Sequence, residues 1–208
     1  MTMLAALTVL LLAIALIQSM VANLRLAVHL LVVQSVLLAL VSSGYGLQTG
    51  ETHMHIAAIL TLIVKCVGIP YALYRVLPLL RQEREKITSR IGMGLSFLSI
   101  ILAGGLVRYA LPGVENPFTL VGALSLMLIG LALIITRNQA MLQIVGLTTM
   151  ENGLYLVGLS ITNGLPLIID LGIFFDMLVA VVVLGLLTSR LKVHLDSTDT
   201  SNLQELKG

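Results

Sequence analysis

Ionisable side chains set inside apolar runs are where this chain could do chemistry, and Glu151 is the clearest of them. It stands about eleven residues into an apolar run over 140–162, about 16 Å along a helix that rises 1.5 Å per residue. That depth is close to the midplane of a bilayer. Thr148, Thr149 and Asn152 surround it with polar groups, and Gly153 allows another helix to come close. A charge at a helix centre costs about 2.5–3.5 kcal/mol on insertion scales, so such a group faces the bundle interior and finds a partner. A titratable carboxylate there reads either as a proton relay or as a polar clamp that fixes helix packing.

Lys65 lies in the middle of Thr61-Leu62-Ile63-Val64-Lys65-Cys66-Val67-Gly68. Its stem is too short to carry the ammonium out over about ten residues in either direction. It therefore needs a partner or a wet cavity, and serves either in proton transfer or as the counter-charge of an acid. Asp176, between Phe175 and Met177, is too short to reach the headgroups and reads as a relay or a packing residue. Asp170 is nearer the outer end of the same run. Six residues separate the two acids, which puts them about 240° apart on a helix, so they need not serve one path. Arg108 closes an apolar run and either snorkels or acts. Gln34 and Ser35 could line a hydrated path or bond across helices. His29 is a lone intramembrane histidine, and His53 and His55 are a poor metal pair without further ligands. The single cysteine, Cys66, closes no intrachain disulfide. Gly104-Gly105 and the pair Gly122 and Gly130 allow close helix contacts.

These residues need membrane helices to hold them. Of 208 residues, 58% are hydrophobic and 11% charged, against about 25% charged in an ordinary soluble domain. Mean hydropathy is +1.04. A globule of this size could not cover so much apolar surface, which excludes a soluble enzyme and a nucleic-acid binder. The composition predicts an all-α polytopic membrane protein. Seven apolar runs are long enough to cross: 3–22, 26–44, 55–80, 91–110, 118–136, 140–162 and 168–189. The first has no basic n-region and reads as a retained helix rather than a cleaved signal. The third is the longest and contains Pro70, which removes a backbone donor and predicts a kink.

Nine of the twelve basic residues alternate onto one side of this scheme: Arg25, Arg81, Arg84, Lys86, Arg90, Arg137, Arg190, Lys192 and Lys207. The opposite loops carry Glu51, His53 and Glu115. The positive-inside rule then places the N-terminus outside and the C-terminus in the cytoplasm. Leu111-Pro112-Gly113-Val114-Glu115-Asn116-Pro117 is the richest turn segment and divides the chain into 1–112, with four spans, and 113–208, with three spans and a polar tail.

The last three runs resemble the small three-helix K subunit of respiratory complex I. Met150-Glu151-Asn152-Gly153 looks like the glutamate-bearing centre of one of its helices. Asp176-Met177-Leu178-Val179-Ala180, running to Ser189-Arg190, looks like the helix with its second carboxylate, with Asp in place of Glu. The end, Asn202-Leu203-Gln204-Glu205-Leu206-Lys207-Gly208, is similar to that family's terminal motif. Over its whole length the chain is similar to the hydrogenase-4 component E family, on Val33-Gln34-Ser35, Val64-Lys65 followed by Pro70, Met150-Glu151-Asn152-Gly153, Asp170 to Asp176, and Glu205-Leu206-Lys207-Gly208.

The resemblance implies a membrane-arm subunit of a complex-I-like, energy-converting nickel–iron hydrogenase or formate hydrogenlyase type complex in a bacterial or archaeal cytoplasmic membrane. Such a subunit has no catalytic centre or cofactor of its own. The nickel–iron centre and iron–sulfur clusters are expected in partner subunits. The implied partners are antiporter-like and quinone-site-like membrane subunits, peripheral hydrogenase subunits and the bilayer, with no nucleic acid. Glu151 and Asp176 carry over as relay acids. Lys65 has no counterpart in the K subunit. Asp170, Arg108, Gln34 and His29 are possible accessory groups. Two alternatives stand beside this reading: a non-conducting linker subunit of such a complex, and a subunit of a multisubunit cation/proton antiporter.

The topology is directly testable. Reporter fusions in the loop carrying Arg84 and at Gly208 are both expected to report cytoplasm. Signals from opposite sides of the membrane would break the seven-span scheme.

Overall fold

The structure is a computed structural model and describes residues 3–50, 52–77, 89–111, 113–114 and 116–162, together with Val181 and Gly185. Its elements are all helical: α1 (Met3–Met20), α2 (Leu24–Thr49), α3 (Thr52–Thr61), a π-helical segment (Leu62–Gly68), α4 (Ile69–Val76), α5 (Ser89–Ala110), α6 (Pro117–Thr136) and α7 (Ala140–Thr162). Among the described residues three stretches are long and apolar enough to cross a membrane: Leu24–Gly44, Ile91–Ala110 and Pro117–Thr136. α7 is long enough but interrupts its apolar run with Thr148, Thr149, Glu151 and Asn152.

Local chemistry sets the helix ends. Asn23 starts α2 by accepting hydrogen bonds from the backbone N–H groups of Arg25, at 2.9 Å, and Leu26, at 3.3 Å. Gly50 ends it in the left-handed region at φ 73, with its N–H bonded to Gly46 O. That terminus extends α2 past the expected boundary at 44. Pro117 opens α6, where its missing N–H leaves nothing unpaired.

Pro70 marks the place where the hydrogen-bond ladder of the third run changes. A proline at that position cannot donate to the carbonyl of Cys66, four residues earlier. The chain widens upstream instead, and Ile69 N–H bonds Val64 O, five residues back. α4 then resumes with Pro70 in its first turn. The third run is therefore three helical pieces, and Lys65 sits in the middle one.

α6 and α7 form an antiparallel hairpin joined by Arg137, Asn138 and Gln139, the pair in most extensive contact among the described helices. Its closeness depends on glycine. A Cβ on Gly130 would run into the backbone of Met150 and lie 2.6 Å from Gly146 O. One on Gly146 would lie 2.8 Å from Leu133 Cβ, and one on Gly153 would collide with the backbone of Met127. Gly122 admits Thr8 of α1 in the same way. Gly104 and Gly105 depart from the close-contact expectation: added Cβ atoms there would meet nothing within 4 Å among the described residues. α5 lies at the margin, with Phe97, Ile101, Leu102, Leu106 and Tyr109 exposed.

Among the described residues two apolar clusters make the core. One joins Leu11 and Ala15 of α1, Leu38 and Val41 of α2, Ala123 to Leu133 of α6, and Tyr155, Leu156 and Leu159 of α7. The other joins Leu24 to Leu31 of α2, Ile69 and Leu73 of α4, Met141 to Val145 of α7, and Val181. α2 and α7 run through both, and Ser42 Oγ and Tyr155 Oη tie them at 2.7 Å. Along each of these helices, a polar stretch separates the part in one cluster from the part in the other.

Gly130→Ala is expected to destabilise the protein by about 1–3 kcal/mol, because backbone on both helices must move. Gly104→Ala is expected to be neutral or mildly stabilising, since alanine favours the helix. Thermal denaturation in detergent checks the contrast.

Candidate functional site

The polar stretch of α7 runs from Thr148 to Asn152, and that of α2 is Gln34 and Ser35; all but Met150 are buried side chains. The π-helical segment brings Lys65 against them with no residual exposure. Lys65 Nζ lies 2.9 Å from Glu151 Oε1 and donates to Asn152 Oδ1 at 2.9 Å. The Glu151 side chain is 6% exposed. Two adjacent residues of α7 thus offer oxygens to one ammonium across a gap of 86 or 87 positions in sequence.

Bringing two ions out of water costs several kcal/mol each, and mutual attraction recovers this only with close geometry and further polar partners. The Asn152 carboxamide is such a partner. Glu151 Oε2 has no hydrogen-bond partner among the described residues, nor has Asn152 Nδ2. A contact of 2.9 Å between Nζ and Oε1 is short enough for a proton to pass from ammonium to carboxylate, which converts the ion pair into a neutral amine and acid without moving either helix.

A second polar group adjoins the first on α7. Thr149 Oγ1 lies 3.2 Å from Gln18 Oε1 of α1, 3.3 Å from Gln34 Oε1 of α2 and 2.8 Å from Val145 O. Its neighbours Thr148 and Ser35 bond back to their own helices, at Ile144 O and Leu31 O. Gln18 also connects outward through its backbone: Arg137, after α6, donates to Ser19 O at 2.7 Å and Gln18 O at 3.3 Å. That guanidinium is buried and caps the carbonyl end of α1, where a cation is favoured by the helix dipole. Arg137 is therefore a structural cap as well as the loop charge its position predicts.

Of the residues singled out from the sequence, the structure brings Lys65 and Glu151 into contact, while Gln34 meets α7 at Thr149. It does not bring in His29 or Arg108. His29 is exposed, donates from Nδ1 to Arg25 O at 2.7 Å, and stands edge-on to Tyr74 with ring centroids 5.7 Å apart. Arg108 is exposed at the end of α5, with its guanidinium 5.9 Å from the ring centre of Tyr109. Asp170 and Asp176 lie outside the described residues. Gln18 was not among the predicted groups, because an amide two residues before the end of an apolar helix reads as interfacial. No group of three or more His, Cys, Asp and Glu that could hold a metal occurs among the described residues.

Comparison with known proteins gives two kinds of similarity. The chain is 27% identical over 191 residues to the uncharacterized protein Rv0085 of Mycobacterium tuberculosis, covering 89% of this chain and 87% of that one. Over 86 residues it is 35% identical to hydrogenase-4 component E of Escherichia coli strain K12, covering 41% of this chain and 40% of that protein. The same extent and identity hold for hydrogenase-4 component E of Shigella flexneri. The chain thus matches about two fifths of the length of these component E proteins. No family model matches the chain. No solved structure matches it.

Pairing of the two charges has a thermodynamic signature. Lys65→Met leaves Glu151 buried without its counter-ion and is expected to cost about 3–5 kcal/mol. Lys65→Met combined with Glu151→Gln removes both charges and is expected to recover most of that loss. Thermal unfolding in detergent measures both. A double variant no more stable than the single one would show that the two do not stabilise each other.

Proposed function

We propose that this chain is a membrane-arm subunit of an energy-converting, complex-I-like hydrogenase complex, in which Lys65 and Glu151 form a proton-relay station. The observation that carries the reading is the buried contact of 2.9 Å between Lys65 Nζ and Glu151 Oε1, set between two apolar clusters. Ionisable groups at such depth are characteristically functional. The partial similarity to hydrogenase-4 component E supplies the kind of complex. In this reading the nickel–iron and iron–sulfur chemistry belongs to other subunits, and the redox energy reaches this chain as a change in the charge or hydration of the relay.

The arrangement favours H⁺ over Na⁺ as the ion. The Lys65 ammonium stands against the carboxylate and carboxamide oxygens that a metal cation would need. A lysine–glutamate pair exchanges a proton internally, whereas a sodium site would have to displace the ammonium first. Seven spans, with the N-terminus outside and the C-terminus in the cytoplasm, remain the topology of this proposal. Val181, buried with α2, α4 and α7, supports counting the last apolar run as part of the bundle. Asp176 is the second relay acid proposed from sequence.

Glu151→Gln keeps the size and much of the hydrogen bonding of the side chain and removes its titratable proton. We expect the complex to assemble and coupled translocation to fall by about tenfold or more. Glu151→Asp, one methylene shorter, is expected to be intermediate. The measurement is hydrogen- or formate-driven pH change in inverted membrane vesicles, alongside the amount of assembled complex. Full coupling in an assembled Glu151→Gln complex would discard the relay and leave a linker subunit.

A further inference from the structure

The proton of the Lys65–Glu151 pair can rest on either side chain, and Asn152 is placed to decide which. Moving it from Nζ to Oε1, across 2.9 Å, breaks an N–H bond and forms an O–H bond with no change in net charge. Apolar surroundings favour the neutral amine and acid, because two buried ions have lost their hydration. The charged form holds its place only with further hydrogen bonds. Asn152 supplies one directly. Its side chain is fully buried, and its Oδ1 accepts from Lys65 Nζ at 2.9 Å.

A carboxamide is not indifferent to the form it meets. An ammonium has three donors and no acceptor, so the amide must turn its oxygen to it, as Asn152 does. Hydrogen bonds from a charged donor are about twice as strong as those between neutral groups. Asn152 therefore holds the ammonium more strongly than it would hold the amine, and it has no titratable proton with which to join the exchange. Other titratable side chains described on α7 and on the elements around the π-helical segment are engaged elsewhere or exposed. The Cys66 thiol lies 3.9 Å from Val32 O, and His55 Nδ1 lies 3.4 Å from Ser43 Oγ. Tyr74 Oη lies 3.2 Å from His29 Nδ1, and Tyr155 Oη lies 2.7 Å from Ser42 Oγ. Arg25 and Tyr71 are exposed.

We propose that Asn152 is a positioning residue that keeps the shared proton on Lys65, so that the resting pair is ammonium and carboxylate and Glu151 is the side chain ready to take an arriving proton. Without the carboxamide oxygen the ammonium loses a charge-assisted hydrogen bond, and the proton moves to Glu151. An acid already protonated at rest has no place for a further proton. This role rests on the relay reading of Glu151 and adds to it the resting place of the proton.

Asn152→Leu keeps the approximate size of the side chain and removes its acceptor. Infrared difference spectra of the assembled complex at neutral pH, each taken against the same complex with Glu151→Gln added, isolate the Glu151 carboxyl. The wild type is expected to show carboxylate bands. In Asn152→Leu a carboxylic acid C=O band is expected to appear, with the ratio of acid to carboxylate raised by about tenfold or more. Spectra are scaled to the amount of assembled complex, so a packing role for Asn152 lowers the yield without moving the bands. Asn152→Val, which also lacks an acceptor, is read in the same way if the leucine variant does not assemble. A carboxylate unchanged in the variant, or an acid band already present in the wild type, would overturn the proposal. Protons translocated per hydrogen or formate oxidised are measured on the same complexes in inverted vesicles. If Glu151→Gln loses translocation while Asn152→Leu keeps its carboxylate, this inference fails alone. If Glu151→Gln keeps full translocation, the relay reading beneath it fails, whatever the spectra show.

Discussion

The fully buried ammonium of Lys65 is the constraint on which the rest of this structure depends. An apolar bundle can hold it only if oxygens stand within hydrogen-bond distance, and α7 provides two on consecutive residues. Adjacent helical residues point about 100° apart, so Glu151 and Asn152 can both reach Nζ only when the lysine enters between them. That in turn limits how α7 and the π-helical segment are rotated against each other. The widened ladder upstream of Pro70 is part of the same solution, since a continuous α-helix would present position 65 at a different angle. A proline that cannot donate and a lysine that must be matched occupy one short stretch of chain.

Close packing elsewhere makes this placement rigid. Gly130, Gly146 and Gly153 let α6 and α7 approach with backbone nearly on backbone. α7 is then fixed on one side by van der Waals contact, leaving its polar side directed toward α1, α2 and the π-helical segment. The two apolar clusters bracket the polar layer along the length of the bundle. Between such clusters the local dielectric is low, which strengthens the ion pair and also penalises any polar group left unpaired.

Much of this was legible in the sequence, residue by residue rather than as an arrangement. Glu151 and Lys65 were visible separately, because charge inside an apolar run is conspicuous whatever the fold. Their pairing was not, because no sequence spacing reports the angular phase of a helix that changes from α to π at Leu62. Gly130 was read as a close contact and is one. Gly104 and Gly105 have the same composition signal but face no described neighbour. Composition shows where a helix could be approached, not which helix approaches it. Arg137 read simply as a loop charge, since a guanidinium turning back to cap another helix leaves no local pattern. Gln18 was overlooked for a related reason: its importance comes from Thr149 and Gln34, which are 131 and 16 residues away.

The choice between a clamp and a relay turns on what each requires of the surroundings. A clamp is best served when every polar atom around it is satisfied by protein, for then the helices are held without further cost. A relay requires the opposite in part: an oxygen or nitrogen free to take a new partner when the proton moves. In the described structure Lys65 is matched by two oxygens, while Glu151 Oε2, Asn152 Nδ2 and the nitrogens of Gln18 and Gln34 have no described partner. Among the described residues, the cation is therefore matched while these four atoms are not. That asymmetry is the ground on which the relay is proposed.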